Sequence, residues 1–264
     1  YKRQAYMTAS QLMTGMGGWP LNVITLPDGS PIYAGTYHTT TQWNDILKRI
    51  VRLKEDNYDG LKEIAANVKN GVKDVNTIQK QEEISDFNSE FLNSNIEDWM
   101  EKWDLEFGGD LAQQKFVSPS KYLFLLNYGR IYQDEKVLSH VKNTLDVIGS
   151  SGLNDFIEGG FYRYTVDNEW KIPHFEKMLY DQAQMISLFS MAYKVFEEQS
   201  YMDIVSNTIT FLNNKMSSSD GLYYAAMDAD TDGEEGKYYS YEIDELKMIS
   251  KNTDFDLFLS YYNI

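Results

Sequence analysis

The sequence predicts a mainly α-helical chain, a partial (α/α)6 toroid preceded by the second half of a small α/β unit. Three observations predict it. Apolar residues recur at three- and four-residue steps through most of the chain after about Asp86. Glycine-aromatic breaks at 108, 159 and 221 interrupt those helical runs about every 50 to 60 residues, each after one helix pair, as in arrays of helical hairpins. Near the N-terminus, two short apolar runs flank Pro27-Asp28-Gly29-Ser30 and read as a β-hairpin. A generic helical bundle with glycine-capped helices is the alternative for the second part.

Taken in order, residues 1 to 14 place Ala5, Ala9, Leu12 and Met13 on one helical face, and Gly15, Gly17 and Gly18 end that helix. Trp19-Pro20 leads into strands at 21–26 and 32–34. A helix follows at about 41–54, with Trp43, Ile46, Leu47, Ile50, Val51 and Leu53 as its apolar set. Residues 1–58 thus form the α/β part. Residues 59–85 are polar with a weak helical rhythm and read as a connecting helix and linker, with the boundary near Glu83. Residues 86–264 form the helical part, with helices at 119–132, 137–148, 174–197 and 201–216.

Composition narrows the possible partners. Forty acidic against 24 basic residues give a formal charge of −16, which repels nucleic acid and anionic membrane surfaces. The chain has no cysteine, so it forms no disulfide, thiol nucleophile or thiolate zinc site. It holds no apolar run of transmembrane length. It opens on Tyr1 instead of an initiator Met, which points to a fragment; the expectation is a cytoplasmic protein, any leader having been carried by residues before these. The 20 Tyr, 13 Phe and 5 Trp suit stacking on sugar rings and equally suit the packing of a helical toroid.

The chemistry concentrates between Gly159 and Asp181. The apolar spacing from Phe175 onward predicts a helix led by Pro173. On it, His174, Lys177 and Asp181 share one side at i, i+3 and i+7, with Glu176 and Tyr180 beside them. The positive helix end disfavours a protonated His174 and so suits a neutral general base. The structural alternative makes His174 a capping residue, Lys177 and Asp181 a surface pair, and Tyr162, Tyr164 and Trp170 packing. Further on, Asp228, Asp230, Asp232 and Gly233 imitate the opening of a calcium loop. The loop lacks the closing Glu, position 12 being Tyr239, so a solvated loop is expected and no metal or cofactor site is assigned. Asp228 and Asp230 are instead acid/base candidates, because alternate residues of an extended segment can place one carboxylate in a cleft.

Several segments resemble a known family. Met13-Thr14-Gly15-Met16-Gly17-Gly18-Trp19-Pro20, Pro27-Asp28-Gly29 and Gly35-Thr36-Tyr37 resemble the thioredoxin-like domain of the spermatogenesis-associated family and its bacterial relatives. The resemblance implies a cis Trp19-Pro20 bond, and a Cys-x-x-Cys motif upstream of the first residue here. Phe107-Gly108-Gly109, Gly159-Gly160-Phe161, Pro173-His174-Phe175-Glu176-Lys177-Met178-Leu179-Tyr180-Asp181 and Asp228-Ala229-Asp230 look like segments of its second domain. Gly109-Asp110-Leu111-Ala112 departs from the family's Gly-Gly-Ala-Pro form. That second domain is similar to six-hairpin glycosidases and N-acylglucosamine 2-epimerases. It implies a sugar-like small-molecule substrate, with His174, Glu176 and Asp230 as catalytic residues. Arg163, Tyr164, Trp170, Lys177, Tyr180, Asp181 and Asp228 would be its contacts. An isomerase or glycoside hydrolase is implied; the alternative is a non-catalytic or thiol-linked protein whose toroid is a binding platform. Roughly three of six hairpins fit in these residues, so self-association of the open ring is expected.

Overall fold

The computed structural model describes residues 2–77, 89–249 and 255–262. It divides into two compact units, Tyr1–Asp86 and Phe87–Ile264. The boundary expected near Glu83 lies outside the described residues. Among the described residues no helix is long and apolar enough to cross a membrane.

The first unit runs α1 (Lys2–Thr14), β1 (Asn22–Thr25), β2 (Pro31–Gly35), α2 (Thr40–Asp56) and α3 (Tyr58–Asn76). Strands β1 and β2 pair antiparallel from Asn22↔Gly35 to Thr25↔Pro31. Asp28 closes their turn by accepting from the Ser30 amide and hydroxyl. The Trp19-Pro20 bond is cis. Helix α2 starts at a capping box in which Thr39 and Gln42 each accept from the other's backbone N–H. Helix α3 takes in residues 59–76 of the stretch read as a connector, but it buries Leu61 and Ala65 against Ile32, with Ile24, Ile50 and Leu53 packed around them. It is therefore an integral layer of this unit. The weak rhythm of residues 55 to 75 was sufficient because only those two positions are fully buried.

The second unit is mainly helical. It begins with α4 (Ser89–Met100), β3 (Lys115–Phe116), α5 (Pro119–Tyr132) and α6 (Glu135–Ser150). A loop holding β4 (Tyr164–Thr165), β5 (Pro173–His174) and β6 (Lys177–Met178) leads to α7 (Leu179–Phe196) and α8 (Gln199–Phe211). Helix α8 runs on through a π-helical turn, Leu212–Met216. β7 (Ala226–Met227), β8 (Asp230–Thr231), β9 (Glu234–Glu235), α9 (Ile243–Ile249) and α10 (Phe255–Tyr262) complete the order. The hairpins α5/α6 and α7/α8 are built alike. Each turns through two residues, the first left-handed: Gln133 at φ 55° and Glu197 at φ 56°. Leu125, Leu126, Val141, Leu145, Leu188, Phe189 and Ala192 bury one shared core between them. Repeated helical hairpins followed by glycine-rich loops make this unit a partial α/α toroid.

One expected element differs. The helix predicted from Pro173 begins at Leu179, and the residues before it are extended. Pro173–His174 pair with Tyr164–Thr165, and Lys177–Met178 pair with Ala226–Met227. Phe175 fits the helical period because it packs against the core, but the backbone on either side of it is claimed by distant strands. His174, Lys177 and Asp181 therefore do not share a helix face, and the helix-dipole argument for His174 does not apply.

Candidate functional site

Two loops of the second unit are anchored by the same device. Asp104-Leu105-Glu106-Phe107-Gly108-Gly109 and Asp155-Phe156-Ile157-Glu158-Gly159-Gly160 share an Asp-x-x-x-Gly-Gly pattern. In the first, Asp104 Oδ1 accepts from the Glu106 and Phe107 amides, and Lys115 Nζ donates to Asp104 Oδ2 at 2.5 Å and to the Gly108 carbonyl at 2.6 Å. In the second, Asp155 Oδ1 accepts from Ile157 and Glu158, and Lys177 Nζ donates to Asp155 Oδ2 at 2.6 Å and to the Gly159 carbonyl at 2.9 Å. Both lysines are buried. Burial pushes the Asp155 carboxyl up, but the Lys177 ammonium and two amides more than offset it and hold the group below the usual range. Burial pulls Lys177 down.

These anchors present a small sheet in the order β3-β4-β5. Phe116 stands opposite Tyr164, and Tyr164 opposite His174. Alternation sends these three to one face and Lys115 and Thr165 to the other, where both are buried. The exposed face is a ladder of rings. Phe116 and Tyr164 stack at 4.5 Å between centroids, and Tyr164 and His174 at 4.9 Å.

Charged groups surround the end of that ladder. His174 Nδ1 lies 2.6 Å from Glu235 Oε1, and Nε2 lies 3.9 Å from Glu176 Oε2. An ionised carboxylate only accepts, so Nδ1 carries the proton of the short bond and the neutral ring keeps its lone pair on Nε2. Arg163 Nη1 donates to Glu176 Oε2 at 2.8 Å, and its backbone N–H donates to the Glu176 carbonyl. Tyr180, exposed, stands beside the Arg163 side chain. Asp181 is half-buried and its Oδ2 has no hydrogen-bond partner. Burial pushes its carboxyl up to about 6, Arg163 opposing and Glu176 adding to the rise.

The other expected site residues stand apart from this cluster. Lys177 is fully buried in the second anchor, and Trp170 is 1% exposed. The Trp170 indole donates to the Phe107 carbonyl and ties one loop to the other. Neither offers a ligand a surface, because the packing that makes them rigid also covers them. Asp228 and Asp230 are exposed on the last loop, the Asp230 amide donating to Asp228. The calcium-like spacing there belongs to a β8/β9 hairpin whose turn, Asp232-Gly233, has φ of 55° and 80°, as a type I′ turn requires. Asp230 faces Glu235 across that hairpin, and Glu235 is the residue that reaches His174. Sequence reasoning assigned neither Glu235 nor Phe116 to the site. The Asp-x-x-x-Gly-Gly repeat was the available signal for the anchors. Among the described residues no group of three or more His, Asp or Glu side chains is arranged to hold a metal ion.

Comparison with known proteins adds relatives for both units. Residues 3–73 match the family model Thioredox_DsbH, described as a protein of unknown function, DUF255. Spermatogenesis-associated protein 20 of Mus musculus is 30% identical over 93% of this chain and 33% of its own length. The chain thus spans about a third of that relative. Among solved structures, a sugar epimerase from a ruminal bacterium is 22% identical, covering 50% of this chain and 37% of its own at a TM-score of 0.46. A family 76 glycoside hydrolase from a bovine Bacteroides thetaiotaomicron strain is 20% identical, covering 56% and 34% at 0.44. The signature residues, the thioredoxin-like match and the curated relative agree: this chain is a relative of the spermatogenesis-associated thioredoxin-like family.

Proposed function

We propose that the His174 cluster transfers protons on a carbohydrate-type substrate, as a sugar isomerase or epimerase does. The observation that carries this reading is the His174–Glu235 pair, 2.6 Å long and stacked against Tyr164. Glu235 fixes the tautomer and supports the imidazolium that forms, leaving Nε2 as the base. That base takes the proton from the carbon next to the sugar's carbonyl; the electron pair moves to the carbonyl oxygen, beside the Arg163 guanidinium. Asp181, with its carboxyl raised to about 6, supplies or recovers the second proton. The Phe116–Tyr164 ladder offers the C–H face of a sugar ring a stacking surface. Asp230 and Asp228, at the hairpin that carries Glu235, contact the substrate's outer hydroxyls in this reading.

The test has two steps. A panel of mono- and disaccharides is screened for thermal stabilisation of the wild-type chain and of His174→Ala, since binding stabilises the native state by mass action. Sugars that bind are then incubated in D2O and followed by NMR for deuterium entering next to the carbonyl. Uptake abolished by His174→Ala and lowered about tenfold or more by Glu235→Gln is expected for a positioned base. A sugar that binds but takes up no deuterium refutes the proton-transfer step; release of a free sugar from a glycoside, lost in Asp181→Asn, moves the reaction to hydrolysis. The thioredoxin-like match over residues 3–73 favours a second reading, a thiol-linked or non-catalytic binding platform. With no cysteine here, any thiol would come from residues beyond these. A panel with no stabilising sugar would leave that reading in place.

A further inference from the structure

Away from His174, a cavity of about 580 Å3 opens between the end of α4 and the first turns of α6. Met100, Trp103 and Leu105 form its apolar side; Ser139, His140 and Asn143, neighbours on one face of α6, form the other. Trp103 and His140 lie ring on ring, with centroids 4.0 Å apart and planes 3° from parallel. They are only 6% and 4% exposed, yet the indole N–H and both imidazole nitrogens lack a hydrogen-bond partner. A buried polar group left unpaired loses its hydration with nothing in return, so native interiors rarely keep three together. The second loop does not repeat the arrangement. Asn154, which precedes its anchoring Asp155 as Trp103 precedes Asp104, is satisfied by the Gly149 carbonyl.

The cavity's chemistry limits its occupant. Glu135 and Lys136 at the start of α6 contribute one charge of each sign and cancel. What remains is a hydroxyl, an amide, an imidazole and an indole around an apolar floor. Burial draws the His140 imidazole down to about 4, so at neutral pH it offers one N–H and one lone pair. Mixed donors and acceptors beside an aromatic surface suit an uncharged ring that carries hydroxyls, and the volume is that of a small-molecule site. We propose that this cavity is a second saccharide-binding site, separate from the His174 cluster, with Trp103 and His140 as its floor and Ser139 and Asn143 as its hydroxyl contacts. Sugar binding at these residues is independent of the reaction the His174 cluster performs. The ring nitrogens are closed off in the stacked arrangement, so occupancy is coupled to rotation of the imidazole.

The test follows the Trp103 indole N–H signal in the full 15N-labelled chain, assigned through Trp103→Phe. The probes are D-glucose, D-mannose and cellobiose, with D-glucuronate and D-glucosamine as charged counterparts. At least one neutral sugar is expected to shift the signal saturably. The shift should persist in His174→Ala, and its affinity should fall about tenfold in Ser139→Ala/Asn143→Ala, which removes the two proposed hydroxyl contacts and no core side chain. A signal that no neutral sugar moves overturns the proposal. So does a shift seen with the charged sugars alone, one lost in His174→Ala, or one indifferent to the Ser139/Asn143 change.

Discussion

Lys177→Met separates an anchoring role from a substrate-contacting one. The Lys177 side chain is fully buried, its ammonium 2.6 Å from Asp155, 2.9 Å from the Gly159 carbonyl, and 4.3 Å from the centre of the Phe211 ring. Removing one partner of a buried ion pair costs about 3–5 kcal/mol, because the other charge is left uncompensated. Asp155 keeps the Ile157 and Glu158 amides and the Tyr162 hydroxyl. Met also fills most of the vacated space, so the low end applies, about 3 kcal/mol. That is a large part of a domain's roughly 5–15 kcal/mol. The pH dependence has a definite sign. In the wild type the depressed Asp155 pKa contributes stability above the ordinary aspartate range, lost as pH falls through the folded-state value. Without Lys177 that contribution shrinks, so the gap between the two proteins should hold steady above about 4 and narrow as pH falls below it. Urea unfolding followed by near-ultraviolet circular dichroism measures both quantities. Asp155→Asn/Lys177→Met should lose less than the sum of the single changes, by about 1 kcal/mol or more. A Lys177→Met protein within about 1 kcal/mol of wild type, with additive behaviour in the double variant, would refute the anchor.

Two further outcomes are expected. Asp181 has its folded-state pKa raised to about 6, so the native state holds the proton more tightly than the unfolded chain, and the group's contribution declines as pH rises from about 4 through about 6. Asp181→Asn should flatten that part of the Tm-against-pH curve, and parallel curves for the two proteins would contradict the assignment. Gly160, at φ 79°, would place an added Cβ 2.6 Å from the Phe211 ring, whereas Gly233, at φ 80°, has nothing within 4 Å. Gly233→Ala should therefore cost only the left-handed backbone term, about 1 kcal/mol, and Gly160→Ala that amount plus about 1–3 kcal/mol of overpacking. Equal losses in denaturant titrations would show that the close packing at Gly160 is not felt.

Local signals reached as far as local forces. Helices α5 to α8 were legible because one face of each meets a shared core, and burial at period 3.6 is written into the residues. The glycine breaks were legible too, since Gly108, Gly109, Gly159 and Gly160 all hold positive φ. Residues 173 to 178 were not. Their conformation is set by Tyr164–Thr165 and Ala226–Met227, and by an ammonium drawn to Asp155, 22 residues away. Glu235 was missed for the same reason, its partner His174 lying 61 residues back.

The anchors and the candidate site are one consequence of strand alternation. Lys115 turns inward to hold Asp104, which obliges Phe116, the next residue, to turn outward and begin the ring ladder. Lys177 turns inward to hold Asp155, and Glu176, the residue before it, carries its carboxylate to Arg163 and towards His174. Each buried lysine thus fixes the position of a neighbour that faces solvent. A change at either lysine should accordingly disturb the cluster without any contact with a ligand, through loss of the surface that Phe116 and Glu176 define. The shared geometry of the two anchors also separates Lys177 from its neighbour Glu176: alternation of the backbone buries the lysine and leaves the glutamate as the one of the two that reaches Arg163 and His174.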